Sequence, residues 1–299
     1  MSDWVERPVA FGQSGNLAGI VTETARVRGP DVIVLNTGLT HKIGAFRVTV
    51  DLARSLAAAG FRTLRFDLSG HGDSRVRPER RAGEDGPVVD TQEAMDFLAS
   101  SYGVQRFVLM GLCSGSDDAH RTSVVDARVV GAAHIEGIGF RTPKYYATYY
   151  GPRFTSREFL ARQVALRIQG RRPPGPFENA YKREFPPKVQ VEHELHALMA
   201  RGVRLFFLYT RGSHLYTNYV EQLRDSFPTV DFGDRLEVEL YPLASHTLSR
   251  VRERATAIAR IGEWMQAHFA EQGDAVDDVV PPTLSLRRGQ TGEAAAEGW

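Results

Sequence analysis

The chain has 299 residues, of which 42% are hydrophobic and 24% charged. That is ordinary globular usage, and it excludes wholesale disorder and fibrous or low-complexity chains. Thirty-seven Lys and Arg against 36 Asp and Glu leave a formal charge of +1, whereas a dedicated nucleic-acid binder is more lopsided. A single cysteine excludes an intramolecular disulfide. The opening Met-Ser-Asp-Trp-Val-Glu lacks the basic and apolar regions of a signal peptide. No stretch reaches the ~18 consecutive apolar residues of a membrane span. The expectation is a cytoplasmic enzyme.

In chain order, 9–11 and 17–21 read as a leading antiparallel hairpin. Val32-Ile33-Val34-Leu35 is a buried strand that stops at Asn36-Thr37-Gly38. Phe46, Val50, Ala53 and Ala57 have helical spacing, and Gly60 ends that helix. Strand 62–66 runs into the glycine-rich loop 67–73. Asp90 is placed to N-cap a helix carrying Ala94, Phe97 and Leu98. Strands follow at 107–110, 129–133 and 205–209, and a more exposed one where Val238 and Leu240 alternate with glutamates. A last helix from about Leu248 to Phe269 turns Val251, Ala255, Ile258, Met265 and Phe269 inward. This alternation predicts an α/β fold, a mostly parallel, doubly wound sheet with helices on both faces. Two stretches break it. Residues 140–197, with a strandless part rich in Tyr, Arg and Pro, read as an inserted helical cap, and 274–299 as a disordered tail. The core is then 1–139 and 198–273.

The sharpest local signal is Met110-Gly111-Leu112-Cys113-Ser114-Gly115-Ser116. It follows a strand and opens a helix, with small residues two positions either side of Cys113, as in a G-x-S-x-G elbow. A nucleophile on such a strained turn needs them, because a Cβ at either flank would collide with the turn. Ser114 fails the same test, since Leu112 lies two before it. A helix start also favours a thiolate. The competing reading of Cys113 is a buried cysteine on a tight turn without a role.

With this elbow the chain resembles the α/β-hydrolase superfamily across about residues 5 to 270. A cysteine in the elbow is the pattern of dienelactone hydrolases. The wider wording is similar to exosortase-associated α/β hydrolases. That match is carried by Asn36-Thr37-Gly38-Leu39-Thr40-His41-Lys42-Ile43-Gly44-Ala45-Phe46-Arg47, by Leu64-Arg65-Phe66-Asp67-Leu68-Ser69-Gly70-His71-Gly72-Asp73-Ser74, and by Arg141-Thr142-Pro143 with the aromatic residues after it. The resemblance implies an α/β-hydrolase fold and the order nucleophile, acid, histidine. His246, in the loop before the final helix, is then the general base, with His214 as its competitor. The post-strand stretch Thr210-Arg211-Gly212-Ser213-His214 lacks the usual aspartate. Some superfamily members carry the acid one strand earlier, which points to Glu136, with Asp231 and Asp234 as fallbacks. The backbone N–H groups of Ser114 and of Leu39, or Thr40 next to it, are the implied oxyanion donors. His41 and Arg47 are candidates to face substrate. His193 and His196 lack the glutamate spacing of a zinc protease, so neither a metal nor a cofactor is expected.

Residues 141–188 hold eleven basic and three acidic side chains, a net +8 that leaves −7 on the rest of the chain. A basic cap would suit an anionic substrate, CoA- or carrier-protein-linked, or it would simply attract an acidic core. Arg141, Tyr145, Tyr146 and His214 are candidates for the substrate wall. The reaction expected is attack of a Cys113 thiolate on an ester or thioester. Water as acceptor makes a hydrolase; an alcohol, amine or thiol makes an acyltransferase or cyclase. A non-catalytic binding protein of the same fold is the rival.

Overall fold

The computed structural model describes residues 4–78, 85–154, 156–170 and 183–271. The expected tail, and Arg171, Arg172 and Lys182 of the basic stretch, lie outside the described residues.

The strands are β1 (Trp4–Phe11), β2 (Leu17–Thr24), β3 (Asp31–Leu35), β4 (Thr63–Phe66), β5 (Phe107–Leu112), β6 (Val129–Ile135), β7 (Arg204–Thr210) and β8 (Leu236–Tyr241). They form one sheet in the order β1-β2-β4-β3-β5-β6-β7-β8. β1 and β2 make the expected hairpin, β2 meets β4 antiparallel, and every pair from β4 to β8 is parallel. Helices α1 (Val48–Ala58), α2 (Gly86–Tyr102), α3 (Ser114–Val125), α4 (Pro143–Phe154), α5 (Arg157–Ile168), α6 (Lys188–Ala200), α7 (Gln222–Ser226) and α8 (Val251–Phe269) connect them.

Both faces of the sheet are covered, which is why the central strands read as unbroken apolar runs. On β3, Val32 and Val34 pack with Leu52 and Leu56 of α1 and with α8. Ile33 and Leu35 point the other way, to Ala94 and Leu98 of α2. A third cluster seats Val191, Leu195 and Leu198 of α6 against Leu205 and Phe207. Helix α6, which falls within residues 140–197, therefore packs on the sheet itself, whereas α4 and α5 pack on each other. Among the described residues, no helix is long and apolar enough to cross a membrane.

Three local expectations need correction. The first helix begins at Val48, because Phe46 and Arg47 take left-handed backbone at φ 52° and 67°; Phe46 is left exposed. Asp90 lies inside α2, which starts four residues earlier with a proline in its first turn. Its buried carboxylate accepts from the Ser69 N–H at 2.7 Å and from Arg77 at 2.5 Å. On α8, Val251 and Ala255 face solvent, and the buried stripe is Ala257, Ile258, Ile261, Trp264, Met265 and Phe269.

Candidate active site

β5 ends at Leu112 and α3 begins at Ser114, so the turn between them is Cys113 alone. Cys113 has φ 56° and ψ −116°, a region that costs an L residue about 1–3 kcal/mol. Close approach of the chain enforces it. A Cβ on Gly111 would fall 2.1 Å from the backbone of Gly115, and one on Gly115 would fall 2.3 Å from the Asn36 carbonyl oxygen. The Cys113 N–H donates to the Ile135 carbonyl at 2.9 Å, and its carbonyl accepts from the Ser116 N–H at 3.0 Å. The half-buried thiol is thereby presented at the C-terminal edge of the parallel strands, where open α/β sheets carry their sites.

Glu136 follows the neighbouring strand β6, also left-handed at φ 58°, and is 2% exposed. Its carboxylate accepts from the Thr210 N–H at 2.6 Å, the Ser213 hydroxyl at 2.5 Å and His246 Nδ1 at 3.0 Å. Burial pushes the carboxyl up, but the hydrogen bonds from His246, Ser213 and Thr210 outweigh it and hold the group below its ordinary range. His246 sits on the loop between β8 and α8. Nδ1 is committed to Glu136, and interaction with the Cys113 thiol first and with Glu136 second raises the ring's pKa to about 9 against the opposing effect of burial. The same contact with His246 lowers the Cys113 pKa; burial opposes it, and the charge of Arg183 and the Ser114 N–H assist it. Both shifts favour a thiolate beside an imidazolium.

The Ser114 hydroxyl accepts from the Gly38 N–H at 2.6 Å, which ties the loop after β3 to the elbow. Thr40 is a correction: its N–H donates to the Thr37 carbonyl at 3.0 Å to close a turn, so that amide is not free for an oxyanion. The Leu39 amide has no hydrogen-bond partner among the described residues, and its side chain is 88% exposed.

His41 belongs to an ion network and not to a substrate wall. Its Nε2 lies 3.1 Å from Asp73 and 3.4 Å from the fully buried Asp67. The Lys42 ammonium is 2.8 Å from Asp67 and 2.6 Å from Asp73. His41, Asp67 and Asp73 are grouped closely enough to ligate a cation, and the lysine already supplies that charge. Arg47 is exposed, with no ion pair to this network among the described residues. Arg141 donates to the Leu215 carbonyl at 2.7 Å. Tyr145 is fully buried and donates to the His214 carbonyl at 2.9 Å, so it walls no open pocket. Tyr146 meets its ring edge-on at 5.4 Å and stays exposed. His214 is also exposed, its Nδ1 bonded to the Arg211 carbonyl at 2.5 Å. Asp231 accepts from the Gly233 N–H within a turn, and Asp234 pairs with Arg204 at 3.0 Å. Neither aspartate is the partner of His246.

Three supporting residues escape sequence reasoning. Gly212 and Ser213 line the acid from the strand that lacks one of its own, and only the missing aspartate hinted at it. Arg183 counts in sequence merely as one basic residue among eleven. Yet its guanidinium donates to the Cys113 carbonyl at 2.7 Å and to the Glu136 carbonyl, and it pairs with Asp117 at 2.5 Å. Lys144 is likewise engaged, 3.4 Å from Glu221. Part of the basic stretch is thus balanced within the molecule.

The strand order, the single-residue turn after β5 and the histidine after the last strand define an α/β-hydrolase fold. A family model described as alpha/beta hydrolase fold matches residues 31–117. An esterase from Pyrococcus furiosus is similar at 15% identity and a TM-score of 0.57, with 90% of this chain and 92% of that chain covered. A hypothetical protein from Pseudomonas aeruginosa is similar at 17% identity and a TM-score of 0.54, covering 90% of this chain and 95% of that one. Mouse alpha/beta hydrolase domain-containing protein 10 gives 14% identity and a TM-score of 0.51, with 87% and 99% covered. At such identities the likeness establishes the fold. No curated protein matches the sequence.

Proposed function

We propose that the protein is a cysteine hydrolase that cleaves an ester or thioester through an S-acyl-enzyme intermediate. The observation that carries the reading is the bond of His246 to the buried Glu136 at 3.0 Å, with the Cys113 thiol and the His246 ring each shifting the other toward its charged form. The thiolate attacks the carbonyl carbon, and the N–H groups of Ser114 and Leu39 receive the oxyanion. The imidazolium of His246 gives its proton to the departing alcohol or thiol. Neutral His246 then takes a proton from water, which attacks the S-acyl group and releases the acid. Glu136 keeps the ring oriented and stabilises its charged form. The similar P. furiosus esterase and the dienelactone-hydrolase-like elbow lend support on chemistry. The residual charge of the 141–188 stretch favours anionic, CoA- or carrier-linked acyl groups. Hydrolysis of p-nitrophenyl acetate and of a short acyl-CoA thioester, with intact-mass detection of an acylated chain, tests the reading. Acylation confined to proteins that retain Cys113 is expected, and full turnover by Cys113→Ala overturns it.

A further inference from the structure

Cys113 and Glu136 share an unusual backbone, left-handed at φ 56° and 58°, and one side chain holds the carbonyls of both. Arg183 Nη2 donates to the Cys113 carbonyl at 2.7 Å, and Nη1 donates to the Glu136 carbonyl. The same guanidinium pairs with Asp117 in the first turn of α3 at 2.5 Å and is only 12% exposed. It lies 5.0 Å from the Phe185 ring, and the Arg183 N–H donates to the Tyr216 hydroxyl at 2.5 Å. Arg183 belongs to neither β5 nor β6; it comes from the stretch between α5 and α6. A planar fork of five N–H donors can engage two carbonyls and a carboxylate together, whereas an ammonium is a point charge.

We infer that Arg183 is a positioning residue: by fixing the carbonyls of Cys113 and Glu136 it sets the separation of thiol and carboxylate across which His246 works. This rests on the proposed role of Cys113 as nucleophile. It makes the inserted stretch a part of the site's frame and not only a cover over it. Two carbonyls aimed at one cation also explain why this arginine is buried beside the thiol, where its charge helps hold the thiolate.

Cys113 is the only cysteine, so alkylation of the whole protein by iodoacetamide reads this thiol alone. Its rate against pH, with kcat and KM on p-nitrophenyl acetate, is measured for wild type, Arg183→Met, Arg183→Lys and Asp117→Asn. Arg183→Met is expected to move the alkylation midpoint up and to lower kcat about 10²-fold, the scale of a small misplacement of reacting groups, with KM little changed. Arg183→Lys keeps the charge and loses the fork, so its midpoint stays nearer wild type while kcat falls. Asp117→Asn removes one anchor of the guanidinium, so its kcat is expected to fall between those of wild type and Arg183→Met. Wild-type kcat and midpoint in a folded Arg183→Met, or a loss confined to KM, overturns the inference. Should Arg183→Met not fold, wild-type kcat in Arg183→Lys overturns it equally. An ordinary thiol midpoint near 8.5 in the wild-type protein, with turnover retained in Cys113→Ala, instead removes the nucleophile reading beneath it.

Discussion

Gly212 lies against the ring of His246: a Cβ on it would fall 2.6 Å from Nδ1 and 2.9 Å from Oε2 of Glu136. The glycine is thus what allows histidine and acid to meet. Gly212→Ala is expected to push the ring off the carboxylate and lower kcat about 10²-fold, the scale of a misplacement near 1 Å. Steady-state kinetics on p-nitrophenyl acetate, with circular dichroism to confirm folding, check this; wild-type kcat in the alanine variant would contradict it.

Cys113→Ala removes the sulfur and keeps the elbow. Turnover should vanish while the melting temperature changes little, since the side chain is only half-buried. Cys113→Ser should retain a trace, because a hydroxyl ionises far less readily than a thiol beside the same histidine. Calorimetry and activity on the three proteins decide the point. Loss of folding in the alanine variant would mean that the cysteine is structural.

The parts of this molecule that were legible in sequence are those written locally. The apolar runs of β3, β5 and β7 announce buried strands, and Gly111-Leu112-Cys113-Ser114-Gly115 announces its turn, because each neighbour acts on the next. His246 and Glu136 were reachable only through the order of elements in a resembling fold. The network of Lys42 with Asp67 and Asp73 spans 25 and 31 residues, and the bonds of Arg183 to the carbonyls of Cys113 and Glu136 span 70 and 47. Periodicity and spacing carry nothing about such pairs. The start of the first helix misled for another reason: Phe46 fits the apolar period, but its left-handed φ is set by the loop before it.

Glu136 is buried and accepts from three donors, of which the Ser213 hydroxyl at 2.5 Å and the His246 ring at 3.0 Å share Oε2. Glu136→Gln must turn an amide donor toward donors already there. It should lower kcat by about 10–10⁴-fold through loss of ring orientation and destabilise the fold by about 1–3 kcal/mol, the cost of a buried unmatched donor. Ser213→Ala leaves the carboxylate with its other two bonds and should cost about 1 kcal/mol and little kcat. Denaturant unfolding and kinetics on both variants separate the two roles. A crippling Ser213→Ala beside a mild Glu136→Gln would reverse them.

His134 is fully buried, stacked on Phe207 at 4.5 Å and bonded through Nδ1 to the Ser116 hydroxyl at 3.0 Å. Burial first, then the charge of His120, lowers its pKa from 6.5 to about 3. The folded state thus keeps it neutral over a range where the unfolded chain would protonate it. Its contribution is fully present above pH 6.5 and is lost progressively as pH falls from 6.5 toward about 3. The melting temperature should fall through that window, and His134→Leu should flatten the fall while lowering the plateau. An equally steep acid limb in His134→Leu would assign the effect to other groups.

The pH dependence of the proposed reaction follows from His246, whose pKa is raised to about 9 by Cys113 first and by Glu136 second, while His246 in turn lowers the Cys113 pKa. The thiolate–imidazolium pair then persists from the lowered Cys113 pKa up to about pH 9, where the imidazolium loses its proton. Alkylation needs only the thiolate, so its rate should not fall as pH rises through about 9. In the proposed mechanism hydrolysis also needs the imidazolium as the acid that protonates the leaving group, so kcat/KM should fall as pH rises through about 9. Replacing p-nitrophenol, a leaving group stable as an anion, by an alkyl thiol or alcohol should sharpen that fall, because the poorer leaving group depends more on the proton. His246→Ala should abolish the alkaline limb and return alkylation to the profile of an ordinary thiol near 8.5. An alkylation profile unchanged in His246→Ala would show that the ring does not set the state of the thiol.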